Sequence, residues 1–515
     1  MNLVARSTLI VAVFFGIDKV LGFIRQIIVA RQFALSYELD VFNAANNIPD
    51  LLSALISGGA LGVALIPVLS EYMETKGKPQ AWDLFSRIIN LAFLVTAAVS
   101  VLIVIFAPWL VDKVIAPGFP AEQKALTVDL MRLDLLAILI FSISGLVMAS
   151  LHANQHFLLP AIAPGLYNIG QIFGAAILAP TIGFRLGPIS LPAFGMGIHG
   201  LVIGVIIGAL LHLLIQVPGL VHYKFKWTPI VDLRSRGVRK VFRLLGPRIL
   251  TMLFIQMFFI VRDNIASGMG EGAVTALNLG WFIMQVPETL IGTAIAIAIL
   301  PTLSEIFARG DLENFRETVN SAVRILLALT IPSAALLAVG IRPLVQAAFD
   351  FDLEGTEMVV LATRAYLLGL TGHALLEISA RSFYAQQDAK TPLVAAALNA
   401  RIYIYLAVFL SFNWGFVGIA IANSVAFTIE AALLLVLLNA RHPGLLKVHK
   451  TLFRVVIVSA CSAGGLYLLL QIIPSNHLFL SLGGMVTGMA LILPFIWKEI
   501  RLLLRLGGAA QPSVE

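Results

Sequence analysis

Ile66-Pro67-Val68-Leu69-Ser70-Glu71 returns as Leu300-Pro301-Thr302-Leu303-Ser304-Glu305, and Gly58 ahead of the first copy is matched by Gly292 ahead of the second. Leu151-His152-Ala153-Asn154-Gln155, running on to Pro160, is echoed by Phe383-Tyr384-Ala385-Gln386-Gln387, running on to Pro392. Pro108 and Pro343 give a third pair, and all three pairs are separated by about 234 residues. A repeat of that period marks a duplicated unit. In an apolar chain it predicts two pseudo-symmetric membrane lobes facing each other across a substrate site, a geometry of transporters more than of enzymes.

Composition sets the class. The 515 residues are 59% hydrophobic and 12% charged, with a mean hydropathy of +0.94, which excludes a soluble surface. Apolar runs of about 20 residues, the length that crosses a bilayer as helix, lie at 8–30, 44–69, 88–111, 127–151, 160–180, 198–221, 242–262, 275–301, 321–347, 358–384, 392–411, 415–439, 452–473 and 479–497. The expected fold is all-α and polytopic, with about 14 transmembrane helices. The expected division is an N-terminal six-helix lobe at 1–222, a basic cytoplasmic linker at 223–241, a C-terminal six-helix lobe at 242–440, and two additional helices with a tail at 441–515. The last two helices have no partner in the duplication.

Even parity puts both termini on one side, and loop charge selects it. One set of alternate loops carries Lys76, Lys78 and Arg87, then Lys224, Lys226, Arg234, Arg236, Arg239 and Lys240, then Arg309 and Arg316, then Arg441, Lys447 and Lys450. The opposite set is poor in cations and holds the acidic stretch from Asp350 to Glu357. The positive-inside rule makes both termini cytoplasmic. The formal charge of +7 is then orientation and lipid contact, not a nucleic-acid surface. Cys461 is the single cysteine, so no intramolecular disulfide is expected. The first apolar run is too long and too charged for a cleaved signal peptide and reads as a permanent span.

The first run also carries the strongest candidate site. Asp18, Lys19, Gly22, Arg25 and Gln26 fall within an arc of about 120° at about 100° per residue. A charge facing lipid at mid-bilayer costs about 2.5–3.5 kcal/mol, so this stripe faces either a wet cavity or another helix. If it faces a cavity, Lys19 and Arg25 make an anion wall suited to a phosphate or diphosphate, with Asp40 on the next helix placed to hold one of them. If it faces a helix, Asp18 and Arg25 serve packing alone. The corresponding run of the second lobe shows Glu271, Asn278 and Gln285 every seven residues beside Trp281, a polar stripe suited to sugar or peptide groups or to interhelical hydrogen bonds. Arg262 and Asp263 end the seventh run at its outer edge, from which Arg262 would supply a third cation. Pro49, Pro67, Pro287 and Pro301, with Gly58, Gly59 and Gly62, mark bending points. His152 and His156 are four residues apart without a third ligand, and no phosphate loop, nucleophile elbow or paired loop acids are present. The expectation is no enzyme, no metal and no cofactor.

Val20-Leu21-Gly22-Phe23-Ile24-Arg25, Asp40-Val41-Phe42, Ile48-Pro49-Asp50-Leu51-Leu52, the Pro-x-Leu-Ser-Glu element at 67–71, Ala116-Pro117-Gly118-Phe119 and Phe383-Tyr384-Ala385-Gln386-Gln387-Asp388-Ala389-Lys390-Thr391-Pro392 resemble the MurJ/MviN lipid II flippases. That family belongs to the multidrug/oligosaccharidyl-lipid/polysaccharide exporter superfamily. The resemblance implies movement of an undecaprenyl-diphosphate-linked peptidoglycan precursor across the bacterial plasma membrane, with lipids and cell-wall synthesis proteins as further partners. It matches Arg25 to a family cavity arginine and Asp40 to a family aspartate, and puts Lys19 where the family usually has arginine. Two departures stand out: Ser53 replaces a family arginine, and Trp281, Phe282 and Gln285 replace a charged cluster. No acid lies between Leu244 and Val261, where some relatives bind sodium. The departures leave open a flippase for another polyprenyl-linked glycan or a scaffold without transport. A membrane-embedded glycosyl- or phosphotransferase lacks the acids it would need.

Overall fold

A computed structural model describes residues 3–509 apart from 57–59, 184, 187–188 and 473–477. Gly58 and Gly59, two of the expected bending points, lie outside the described residues. Among the described residues, eleven helices are long and apolar enough to cross a membrane. One of these, Lys390–Arg441, is two spans in sequence, because Trp414 and Gly415 leave helical geometry and Gly415 takes a φ of 56°. Leu3–Phe33 and Arg236–Ala266, 31 residues each, are also long enough to span. Among the described residues the expected spans, about fourteen, are helical, and the protein is an all-α polytopic membrane protein. A two-residue antiparallel pair, Arg185–Leu186 with Ile189–Ser190, sits between the fifth span, Leu158–Leu178, and the sixth, Gly197–His222.

The duplication holds at the level of single torsions. Gly77 (φ 89°) precedes the third span, Lys78–Ile115, and Gly310 (φ 73°) precedes the ninth, Leu312–Phe349. Gln155 and Gln387 both occupy the left-handed region, at φ 58° and 60°, a conformation few non-glycine residues adopt. Each donates its backbone N–H to the carbonyl three residues back, His152 or Tyr384, at 2.9 Å. The next helices start at Leu158 and Lys390, so Pro160 and Pro392 are each the third helical residue, where a missing N–H costs no helical bond. Pro67 and Pro301 stand at matching places inside Ala60–Thr75 and Ala294–Ala308.

The most specific sequence motif turns out to be a turn. Asp388 accepts from the backbone N–H groups of Lys390 and Thr391, both at 3.0 Å, from Thr391 Oγ1 at 2.6 Å and from Arg441 Nη1 at 2.7 Å. These bonds, the Thr391 hydroxyl foremost, hold its carboxyl well below the usual carboxylate range. They tie the start of the eleventh span to the end of the twelfth.

Two compact units divide the chain at Glu271 and Gly272. In the first unit, the chain after the sixth span is fastened to the third. Asn90 Nδ2 donates to the carbonyls of Thr228 (2.8 Å) and Ile230 (3.0 Å), and Arg87 pairs with Asp232. The seventh span, Arg236–Ala266, follows into the same core, where Val238, Val241 and Leu245 pack with Leu65, Leu69 and Phe85. In the second unit the thirteenth span, His449–Ile472, and the fourteenth, Leu478–Ala509, pack on the ninth through Leu336, Val455, Leu466, Ile492 and Ile496. Glu499, 1% exposed, accepts from Arg324 and Arg454 at 2.7 Å each, a charged clasp closing that apolar contact.

The fifth and sixth spans meet backbone to backbone. Gly170 and Gly174 face Gly200, Gly204 and Gly208, spaced four apart on both helices, as close helix pairs in membranes require. A Cβ on Gly204 would stand 2.6 Å from Gly174 Cα. Gly204→Ala is therefore expected to force the helices apart and cost about 1–3 kcal/mol, measurable as a lower unfolding temperature of the detergent-purified protein. An unchanged midpoint would contradict this packing.

Candidate functional site

The first span packs chiefly on the fifth, and the contact is polar at its centre. Gly22 faces Asn168, whose Nδ2 a Cβ there would meet at an ordinary contact distance of 3.8 Å. Asn168, 6% exposed, bonds both charges of the stripe. Its Nδ2 donates to Asp18 Oδ1 at 2.9 Å, and its Oδ1 accepts from Arg25 Nη1 at 3.0 Å. Asp18 and Arg25 are thus bridged by a neutral amide instead of bonding each other. Asp18 and Asp50 are the carboxylates whose charge acts on Arg25.

Asp50 reaches this cluster because the second span, Tyr37–Thr75, is broken. Helix Tyr37–Ala45 ends at Asn46, and a second helix, Asn47–Ile56, starts at once with Pro49 in its first turn. The break also frees Asn47 to donate to Asp263 Oδ2 at 2.8 Å. Asp263, 1% exposed, accepts in addition from Arg262 Nε at 2.7 Å, and Arg262 is 4% exposed. The Arg262 guanidinium lies 5.2 Å over the Phe259 ring. Asp50, exposed at the break, feels both Arg25 and Asp263, so the first, second, fifth and seventh spans share one polar network, buried at Asn47, Asn168, Arg262 and Asp263.

The other expected residues are placed as follows. Lys19 is exposed, its Nζ 5.0 Å over the Phe15 ring and away from the Asn168 contact. Gln26 is half-buried, and Asp40 is buried at 1% exposure in the helix opening the second span. The second-unit stripe does not act as one row. Glu271 precedes the helix Ala273–Pro287 and accepts from the Tyr37 backbone N–H at 2.9 Å. Trp281 packs edge-on against Tyr366 (5.5 Å between centroids) and His373 (5.3 Å), Asn278 is half-buried, and Gln285 is exposed. Within the second unit Arg381 pairs with Glu377 one turn away at 2.6 Å, and Glu288, in a π-helical stretch, accepts from Thr293 Oγ1 at 3.1 Å.

Sequence reading missed Asn168, Asp134 and the role of Asp50. The signal was there: each is a lone amide or acid inside or beside an apolar run, as Asp18 and Arg25 are. Asn168→Leu is expected to strand Asp18 and Arg25 without their shared partner and cost about 1–3 kcal/mol, read as a drop in unfolding temperature. Full stability in that variant would mean the bridge carries no weight.

A family model described as "Lipid II flippase MurJ" matches residues 29–485. The lipid II flippase MurJ of Burkholderia cenocepacia is 30% identical over 449 residues, covering 85% of this chain and 84% of that protein. The probable lipid II flippase MurJ of Vibrio cholerae is 28% identical over 442 residues, covering 83% and 82%. Among solved structures, "Lipid II flippase MurJ, inward closed conformation" aligns with a TM-score of 0.80 at 24% identity, over 96% of this chain and all of that one. An inward-facing multidrug resistance MATE family transporter of the MOP superfamily aligns with a TM-score of 0.71 at 14% identity, over 83% and 95%. At these identities the two structures show a shared fold.

Proposed function

Since the chain belongs to the lipid II flippase MurJ family, we propose that it moves undecaprenyl-diphosphate-linked peptidoglycan precursor from the inner to the outer leaflet of a bacterial plasma membrane by alternating access. Both termini then face the cytoplasm, in keeping with the cation-rich alternate loops. The observation that carries the reading is Arg25: a guanidinium in an apolar span, fixed by an amide and not locked into a direct carboxylate bond. A planar fork held this way can exchange its weak neutral partner for a diphosphate, with which it bonds twice and with full charge. Lys19, on the exposed side of the same stripe, supplies the second positive charge. Arg262, already matched by Asp263, serves the network and not the cargo. No covalent chemistry is asked of the protein; its residues bind, orient and release.

Ser53, Trp281, Phe282 and Gln285, where the family resemblance implies charged residues, favour a second reading in which the cargo is another polyprenyl-diphosphate glycan. Complementation separates the two. The chain is expected to restore growth to a strain depleted of its own lipid II flippase. Failure to do so, with the protein present in the membrane, would favour the other cargo.

A further inference from the structure

Asp134 belongs to none of the roles above, yet it is a buried acid with an unpartnered oxygen. It lies within the fourth span, Ala121–Ala153, is 5% exposed, and its Oδ1 has no hydrogen-bond partner. The one charged side chain acting on it is Asp50, another acid. Asp50 and Asp134 stand equally far from the first residues of their spans, Tyr37 and Ala121. The helix Asn47–Ile56 that carries Asp50 packs directly on the fourth span. Cations near the cluster are already committed: Arg262 to Asp263, and Arg25 to Asn168 with Asp18 and Asp50 in range. Other groups on helices packed against the fourth span are Tyr167, within range of Asp134, buried Asp40, and His212, which is bonded to Ser144 at 2.6 Å.

An ionised carboxylate left in an apolar interior without a donor or a counter-charge is too costly to persist; it takes up a proton or a cation. Asp50, itself exposed, adds a second negative charge that sharpens the demand on buried Asp134. We propose that Asp134, with Asp50 beside it, is a proton-binding site within the first unit. The proton enters on the unpartnered Oδ1 of Asp134, giving a neutral carboxylic acid, and returns to water when the carboxylate re-forms. Its link to transport rests on the flippase reading: a diphosphate that engages Arg25 takes from Asp50 its counter-charge, and the acid pair then holds the proton more firmly. Cargo and proton would therefore bind in mutual support.

The site itself can be tested without cargo. Infrared difference spectra of the purified full-length protein, titrated from acid to alkaline pH, are expected to show the carbonyl band of a protonated carboxylic acid that moves on deuterium exchange. Asp134→Asn, which mimics the neutral acid in shape, should lose that band. Asp134→Glu should restore one at a shifted frequency, which guards against a folding artefact. A wild-type spectrum without such a band, or an Asp134→Asn spectrum that keeps it, overturns the proposal whatever the transport assays give. A band abolished by added sodium ions would assign the carboxylate to a metal cation and overturn the proton assignment. Loss of cargo transport with the band intact would instead count against the flippase reading alone.

Discussion

Arg25→Ala is expected to abolish function while leaving the protein in the membrane. A charge-assisted bond to a phosphate oxygen contributes about 1.5–3 kcal/mol, so its loss alone would slow transport about 10- to 150-fold. The field reverses as well. With the guanidinium gone, Asp18 and Asp50 remain near the vacated position and repel the diphosphate that Arg25 would attract. The combined loss should exceed about 100-fold, and the variant should fail to support a flippase-depleted strain at normal membrane levels. Arg25→Lys keeps the charge but not the fork that reaches Asn168, and an intermediate phenotype is expected. Growth of the alanine variant at the wild-type rate would remove Arg25 from the transport path.

Asp263→Ala should be the most damaging single change to stability. It takes from the Arg262 guanidinium, 4% exposed, the carboxylate that its Nε bonds, and from Asn47 the acceptor used where the second span breaks. Breaking a buried ion pair by removing one partner costs about 3–5 kcal/mol. The expected result is a large fall in unfolding temperature and in yield. Asp263→Asn, which keeps an oxygen for Asn47, should lose less. Replacing both members, as in Arg262→Leu with Asp263→Leu, should recover much of the loss, because neither member of the pair is left buried without the other. If the double variant were no better than Asp263→Ala, the cost would lie in packing and not in charge.

The fold was written in the sequence where the physics is local. Apolar runs of spanning length located the long helices, and Gln155 with Gln387 or Pro160 with Pro392 marked turns that the structure forms twice with nearly the same torsions. Relations across the chain were not legible in this way. The spacing of Asp18 and Arg25 shows a shared face, but it cannot show that Asn168, more than a hundred residues away, lies between them. Likewise the basic stretch before the seventh span reads as a linker from its Pro, Gly and charges. Its fastening to Arg87 and Asn90 depends on hydrogen bonds between distant segments. Trp281 read equally well as a cavity wall or as packing, and Tyr366 and His373 are the rings it lies against. Glycines at 170, 174, 200, 204 and 208 were visible as residues, but their opposition across two helices needed coordinates.

The central claim is that Arg25, carried on a polar stripe of the first span, engages a lipid-linked diphosphate during its passage across the membrane. Its most direct test is translocation of labelled lipid II in proteoliposomes, comparing the wild-type chain with Arg25→Ala at equal reconstitution. The account predicts protein-dependent movement of lipid II by the wild type and background rates for the variant. Equal rates for the two proteins, or no movement by the wild type, would contradict it.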